Sequence, residues 1–99
     1  MTLEELKLSL PSDNNITIGT MMKTPCIRVK KNFLTMIDTK SGDLFLKLPE
    51  DRVNELIEQN IGEPFNFTKK QFKEWVIVPS TKSEIWIELC AEGYNFLNS

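Results

Sequence analysis

Apolar and polar positions along the chain change their period several times, and each change marks an element. Leu3, Leu6 and Leu10 fall on one helical stripe behind Thr2. Glu5, three residues after Thr2, completes a capping box, so a short helix is predicted to run to about Leu10, where Pro11 stops it. Residues 11–15 are loop by composition. From Ile16 the period shortens to two. Ile16–Met22, Cys26–Lys30, Phe33–Asp38 and Asp43–Leu48 read as four strands, with breaks at Thr24-Pro25, Lys31-Asn32 and Thr39–Gly42. Strands joined by such short turns form an antiparallel meander. Within it Ile27 and Val29 point one way and Arg28 and Lys30 the other, while Leu44, Leu46 and Leu48 share a face.

The period then lengthens. Pro49 opens a helix at its favoured first turn, with Glu50 and Asp51 complementing the dipole. Val53, Leu56, Ile57 and Ile61 form its stripe, and Asn60 or Gly62 supplies a left-handed end. Residues 63–67 read as an irregular link whose Phe65 and Phe67 plug the core. Phe72–Pro79 holds the densest β-forming run, Trp75-Val76-Ile77-Val78, and is expected to be a strand buried on both faces. Thr81 with Glu84 is a second capping box, opening a C-terminal helix with Ile85, Trp86, Leu89, Cys90, Phe96 and Leu97 on its apolar side. Gly93 within it marks close packing. The expected fold is α+β, an antiparallel sheet of a four-stranded meander plus a later strand, with helices packed on it, as one domain over residues 1–99.

Composition narrows the chemistry. The chain has no histidine, which removes Ser-His-Asp and Cys-His nucleophile systems and His-based zinc sites. Cys26 and Cys90 are too few for a four-thiolate zinc site and read as reduced, buried thiols that do not bond to each other. No metal, no cofactor and no enzymatic activity are expected. The paired carboxylates Glu50-Asp51 and Glu84-Glu88 sit where caps and helix surfaces want them. The longest apolar runs are too short to span a membrane. The opening residues are acidic with no apolar h-region, so no signal peptide is expected and cytoplasm is the expected address.

Charge is uneven although the net is −2. Residues 1–49 are net basic and residues 50–99 net acidic, and the basic side chains Lys23, Arg28, Lys30, Lys31 and Lys47 concentrate on the predicted strands. They offer a phosphate-facing surface; a solvated outer sheet face would give the same pattern. Lys69, Lys70 and Lys73 form a second basic group with the same two readings. Trp75, Trp86 and the methionines read as core.

Several blocks resemble one family. Met21-Met22-Lys23-Thr24-Pro25-Cys26-Ile27-Arg28-Val29 is similar to the M-F-G-x-P-C-x-x-V segment of TfoX N-terminal-like and MmcQ/YjbR-like proteins. Leu46 to Ile57 resembles their L-K-L-P-x-x-R-V-x-E-L-I block. Gly62-Glu63-Pro64-Phe65 and Lys73 to Pro79 resemble the G-E-P-F and K-E-W-V-x-V-P blocks that follow. Together they cover about residues 16–97. Met22-Lys23-Thr24 departs from the Phe-Gly-Met of many relatives. The resemblance implies a YjbR/TfoX-N-like fold and a small cytoplasmic binding or regulatory module. Its expected partner is nucleic acid or a transcriptional protein, since TfoX regulates competence genes and YjbR-like proteins are suspected DNA binders. The blocks themselves read as cap, core and turn, so the competence role is not carried over. The alternative is a protein-interaction domain, joining another copy of itself or a partner without nucleic acid.

Overall fold

The computed structural model describes residues 2–11, 14–21, 23–67 and 70–98, with the backbone alone for 66, 67 and 70–72. Lys69 and Met22 thus lie outside the described residues, as do the side chains of Phe67, Lys70 and Phe72. Thr2 caps the first helix as its sequence predicts: its hydroxyl accepts from Glu5 N at 3.2 Å, and α1 spans Leu3–Ser9. The strands are β1 (Ile16–Met21), β2 (Thr24–Val29), β3 (Asn32–Ile37) and β4 (Leu44–Lys47), followed by α2 (Glu50–Glu58), β5 (Glu63–Phe67) and β6 (Lys70–Val78). A 3₁₀ turn over Ser80–Ile85 leads into α3 (Trp86–Asn98). The strands form an antiparallel sheet in the order β1-β2-β3-β4-β6-β5. No helix among the described residues is long and apolar enough to cross a membrane.

All three helices lie on one face. Leu6 and Leu10, Val53 and Leu56, and Trp86, Leu89, Cys90 and Tyr94 pack on Ile16, Ile27, Val29, Leu34, Leu44, Leu46, Val76 and Val78, all in one buried cluster. Arg52 of α2 ties that layer to α3, donating from Nε to Glu92 Oε1 at 2.8 Å and from Nη2 to Oε2 at 3.2 Å, and it also pairs with Glu55. The fork of two parallel bonds on one carboxylate raises the Arg52 pKa.

Five local expectations are corrected. The β2–β3 turn is Lys30-Lys31, both left-handed (φ 51° and 70°), and Asn32 begins β3 instead of sitting in the turn. Pro25 lies inside β2, opposite Thr20, rather than breaking the chain before it. Residues 63–67 are a paired strand; the bulge in register between Pro64 and Phe65 hides the alternation on which a strand is recognised. Pro49 stands at the N-cap, one residue before the helix proper. The last helix starts at Trp86, because residues 80–85 tighten into 3₁₀ geometry with Lys82 off the helical path, so Thr81 and Glu84 do not form its cap. By contrast Asn60 does supply a left-handed residue (φ 59°) at the end of α2.

The sixth correction concerns the far face. Val76 and Val78 are buried under the helices, but Trp75 and Ile77 are only half-buried. β6 is an alternating strand between a helix-covered face and a second face of different chemistry. A bulge reinforces this: Ile27 pairs with Thr35 and Arg28 with Phe33, leaving Leu34 as the extra residue. Leu34 and Thr35 therefore both serve the helix side, while Phe33 and Met36 turn to the other.

Candidate nucleic-acid interface

The face opposite the helices takes every second residue of the strands. Thr17, Gly19 and Met21 come from β1; Thr24, Cys26 and Arg28 from β2; Phe33 and Met36 from β3; Phe45 and Lys47 from β4; Trp75 and Ile77 from β6. A continuous run of aromatic rings crosses it. Phe33 stacks on Trp75 with centroids 4.3 Å apart and planes 5° from parallel, Trp75 meets Phe65 at 5.0 Å, and Phe65 meets the edge of Phe45 at 5.0 Å. Offset and edge contacts of this kind add about 0.5–1.5 kcal/mol each beyond burial. Cys26, Met36 and Phe65 are buried beneath the run, so this face has a small core of its own.

Basic residues share this face with the rings, although the Arg28 guanidinium turns away from them, over Gly19 to Thr20 O. Arg28 is the register partner of Phe33, and Lys47 that of Trp75. At one end Thr24, Met36, Asp38, Thr39, Lys40, Phe45 and Phe65 line a cleft of about 330 Å³. Two aromatic rings form its apolar wall, and hydroxyls and Lys40 its polar rim. Asp38 is held in the loop fold, its Oδ2 accepting from Ser41 Oγ at 2.7 Å and Ser41 N at 3.1 Å, and these bonds lower its pKa. Lys23, at the left-handed position of the β1–β2 turn (φ 66°), precedes Thr24 at this same end.

Of the five basic residues singled out in the sequence, Lys23, Arg28 and Lys47 thus belong with this face and its cleft. Lys30 and Lys31 do not. They occupy the turn at the opposite end of β2, about 24 Å from Lys23 at seven residues of roughly 3.4 Å each. Lys30 is not an outward strand residue: its Nζ donates to Asn98 O at 3.1 Å at the C-terminal end of α3, a favourable place for a cation. Lys30 and Lys31 border a separate shallow cleft of about 330 Å³ with Asn14, Asn15 and Thr17. Lys40 and the four aromatic residues were missed as site candidates. For Phe45 and Trp75 the signal was strand parity, since placing Leu44, Leu46, Val76 and Val78 in the core sends their neighbours to the other side; Lys40 in a turn, and Phe33 and Phe65 beside bulges, carried no such signal.

Most of the acidic side chains of the second half face elsewhere, Glu63 and Glu74 on β5 and β6 excepted, Glu63 being the register partner of Ile77. Glu50, Asp51, Glu55, Glu58, Glu84, Glu88 and Glu92 all lie on α2, the 3₁₀ turn or α3. The net negative charge therefore resides mainly in the helical layer, and the meander stays basic.

Neither thiol is placed for chemistry. Both cysteines are buried and unbonded, Cys26 on the ring-bearing face and Cys90 under the helices against Thr35. Burial pushes the Cys90 thiol up to about 12, which leaves it protonated and unreactive at neutral pH. Among the described residues no three metal-ligating side chains converge. No protein-family model, curated protein or solved structure matches the chain.

Proposed function

We propose that the chain is a non-enzymatic cytoplasmic module that binds single-stranded nucleic acid on the ring-bearing face of its sheet, as part of a regulatory role. The observation that carries this reading is the presence of cations and stacked rings on one face: Phe33 lies on Trp75, Arg28 and Lys47 are their register partners, and the Arg28 guanidinium extends from there over Gly19 of β1. Binding of single strands combines a positive groove that follows phosphates with aromatic groups that meet bases, and the two occur here on one surface. The cleft walled by Phe45 and Phe65 is of a size to take a base, with Lys40 on its rim and Lys23 in the turn before Thr24 to meet a flanking phosphate. Placement of most of the acidic residues on the helices weakens the objection that a chain of net charge −2 would repel a polyanion. The resemblance of residues 16–97 to TfoX N-terminal-like and YjbR-like proteins supports the same direction, and the sheet with helices on one face is compatible with a fold of that kind.

Three or four phosphate contacts give weak, sequence-tolerant affinity, with Kd about 10⁻⁴–10⁻⁶ M at physiological salt. The test is anisotropy of a labelled oligothymidylate. Affinity is expected to fall roughly 20–50-fold between about 50 and 200 mM salt, following single-strand counterion release. Arg28→Glu with Lys47→Glu should abolish binding, and Lys30→Glu with Lys31→Glu should weaken it much less. No binding at low salt, or equal loss in the two double variants, contradicts the proposal.

A further inference from the structure

The two edges of the sheet are guarded differently. β5 begins Glu63-Pro64, where proline has no N–H to offer, and its register is broken at the next residue. Charge, proline and a bulge are the usual means of blunting an edge strand. β1 at the other edge has none of these. It reads Ile-Thr-Ile-Gly-Thr-Met, without a charge or a proline, and keeps an unbroken register with β2 from Ile16 to Met21.

Its free hydrogen-bonding groups can be assigned. Asn15 O accepts from its register partner Lys30 N at 2.9 Å. In an antiparallel ladder, bonded pairs alternate with unbonded ones. Thr17, Gly19 and Met21 therefore turn their backbone groups toward β2, and Ile16, Ile18 and Thr20 turn theirs to the open edge. Ile18, at the middle of the strand, also leaves its side chain 49% exposed on the helix-bearing side of the sheet.

We infer that β1 pairs antiparallel with β1 of a second copy of this chain, about a twofold axis through Ile18. That axis sets Ile18 against the partner's Ile18, and Ile16 against the partner's Thr20. Every outward N–H and C=O of the three residues then finds a counterpart. Thr20 O already accepts from Arg28 Nη2 at 3.0 Å but keeps a second lone pair. The twofold leaves each face of the sheet on its own side, so the two exposed isoleucines cover one another. A second copy fits because none of residues 16–21 is charged and the twofold sets the two Arg28 guanidinia, each held at its own Thr20 O, four residues apart along the ladder (about 13 Å), so self-pairing opposes no like charges directly. The ladder is at the small end of stable interfaces, so the dimer is weak and forms at high concentration. This inference is independent of the nucleic-acid reading.

Sedimentation of the full chain over a wide concentration range tests it. The wild-type mass should rise from 11.5 kDa toward twice that value, and the Ile18 amide should exchange more slowly as it does. Ile18→Lys, at a half-exposed position, should keep the wild-type circular dichroism and melting yet stay at the monomer mass throughout. A wild-type chain that stays monomeric at every concentration, or an Ile18→Lys variant that dimerises like wild type, overturns the inference. So does a monomer whose Ile18 amide is slowed only by an added extended peptide of unrelated sequence, which would assign the edge to another partner.

Discussion

Arg28 crosses the edge strand over Gly19, and it does so because the glycine has no side chain. A Cβ on Gly19 would stand 2.6 Å from Arg28 Nε and 3.1 Å from its Cδ, and the guanidinium reaches beyond to donate to Thr20 O. The contact is with the mobile part of a long side chain, which can rotate away. Gly93 differs: a Cβ there would meet Leu34 Cδ1 at 2.6 Å and the backbone oxygen of Lys47 at 2.9 Å, between α3 and the sheet. Gly19→Ala should therefore change stability by less than about 1 kcal/mol. Gly93→Ala should lose about 1–3 kcal/mol from overpacking, more than the roughly 1 kcal/mol that helix propensity returns. Urea unfolding of both variants checks the order.

Trp75 is stabilised by its neighbours on the ring-bearing face rather than by full burial. Deleting a wholly buried large aromatic costs about 3–5 kcal/mol. Half-burial plus the Phe33 stack puts Trp75→Ala near about 2–3 kcal/mol. Leu46→Ala, at a site with no exposure under the helices, should cost about 2–5 kcal/mol and exceed it. Equilibrium unfolding that ranks Trp75→Ala clearly above Leu46→Ala contradicts the two-faced description of the sheet.

How much of this was legible depends on whether the signal was local. The Thr2 cap, the four meander strands and the Val53–Ile61 stripe each carry their period within a few residues, and all of them form, except that α2 ends at Glu58 and leaves Ile61 past its end. The fold class follows from them. β5 was hidden because its bulge at Pro64/Phe65 breaks the alternation. The first turn of the last helix failed because 3₁₀ geometry at Ser80–Ile85 overrides a correct cap spacing. For the site, parity placed Arg28 and Lys47 on the outer face. It could not show that Leu34 bulges, that Phe33 thereby lands on Trp75, or that Lys30 turns back to Asn98, since each depends on residues distant in sequence.

Cys90 makes stability depend on alkaline pH. Its folded pKa is raised by desolvation from 9.0 to about 12. Below about pH 9 the thiol is protonated in both states and its contribution is complete. As pH rises toward 12 the unfolded chain ionises first and binds fewer protons, so stability falls by up to about 1.4 kcal/mol per pH unit. Thermal melts between pH 8 and pH 11 should show a steeper loss in wild type than in Cys90→Ala, whatever the variant's offset at neutral pH. Parallel curves would show that the thiol is not desolvated in the fold.

The two tryptophans lie on opposite sides of the sheet and provide an internal control for the central claim. Trp75 stands among the rings of the outer face, and Trp86 is buried under the helices, its Nε1 without an acceptor among the described residues. The most direct measurement is an ¹⁵N-resolved titration of the full chain with oligothymidylate at low salt, following the two indole resonances. The Trp75 indole and the amides of Arg28, Phe33 and Lys47 should shift together in proportion to occupancy, while the Trp86 indole and the amides of α2 stay in place. Shifts confined to the helical layer, or an unmoved Trp75 at saturating oligonucleotide, would contradict binding on the ring-bearing face.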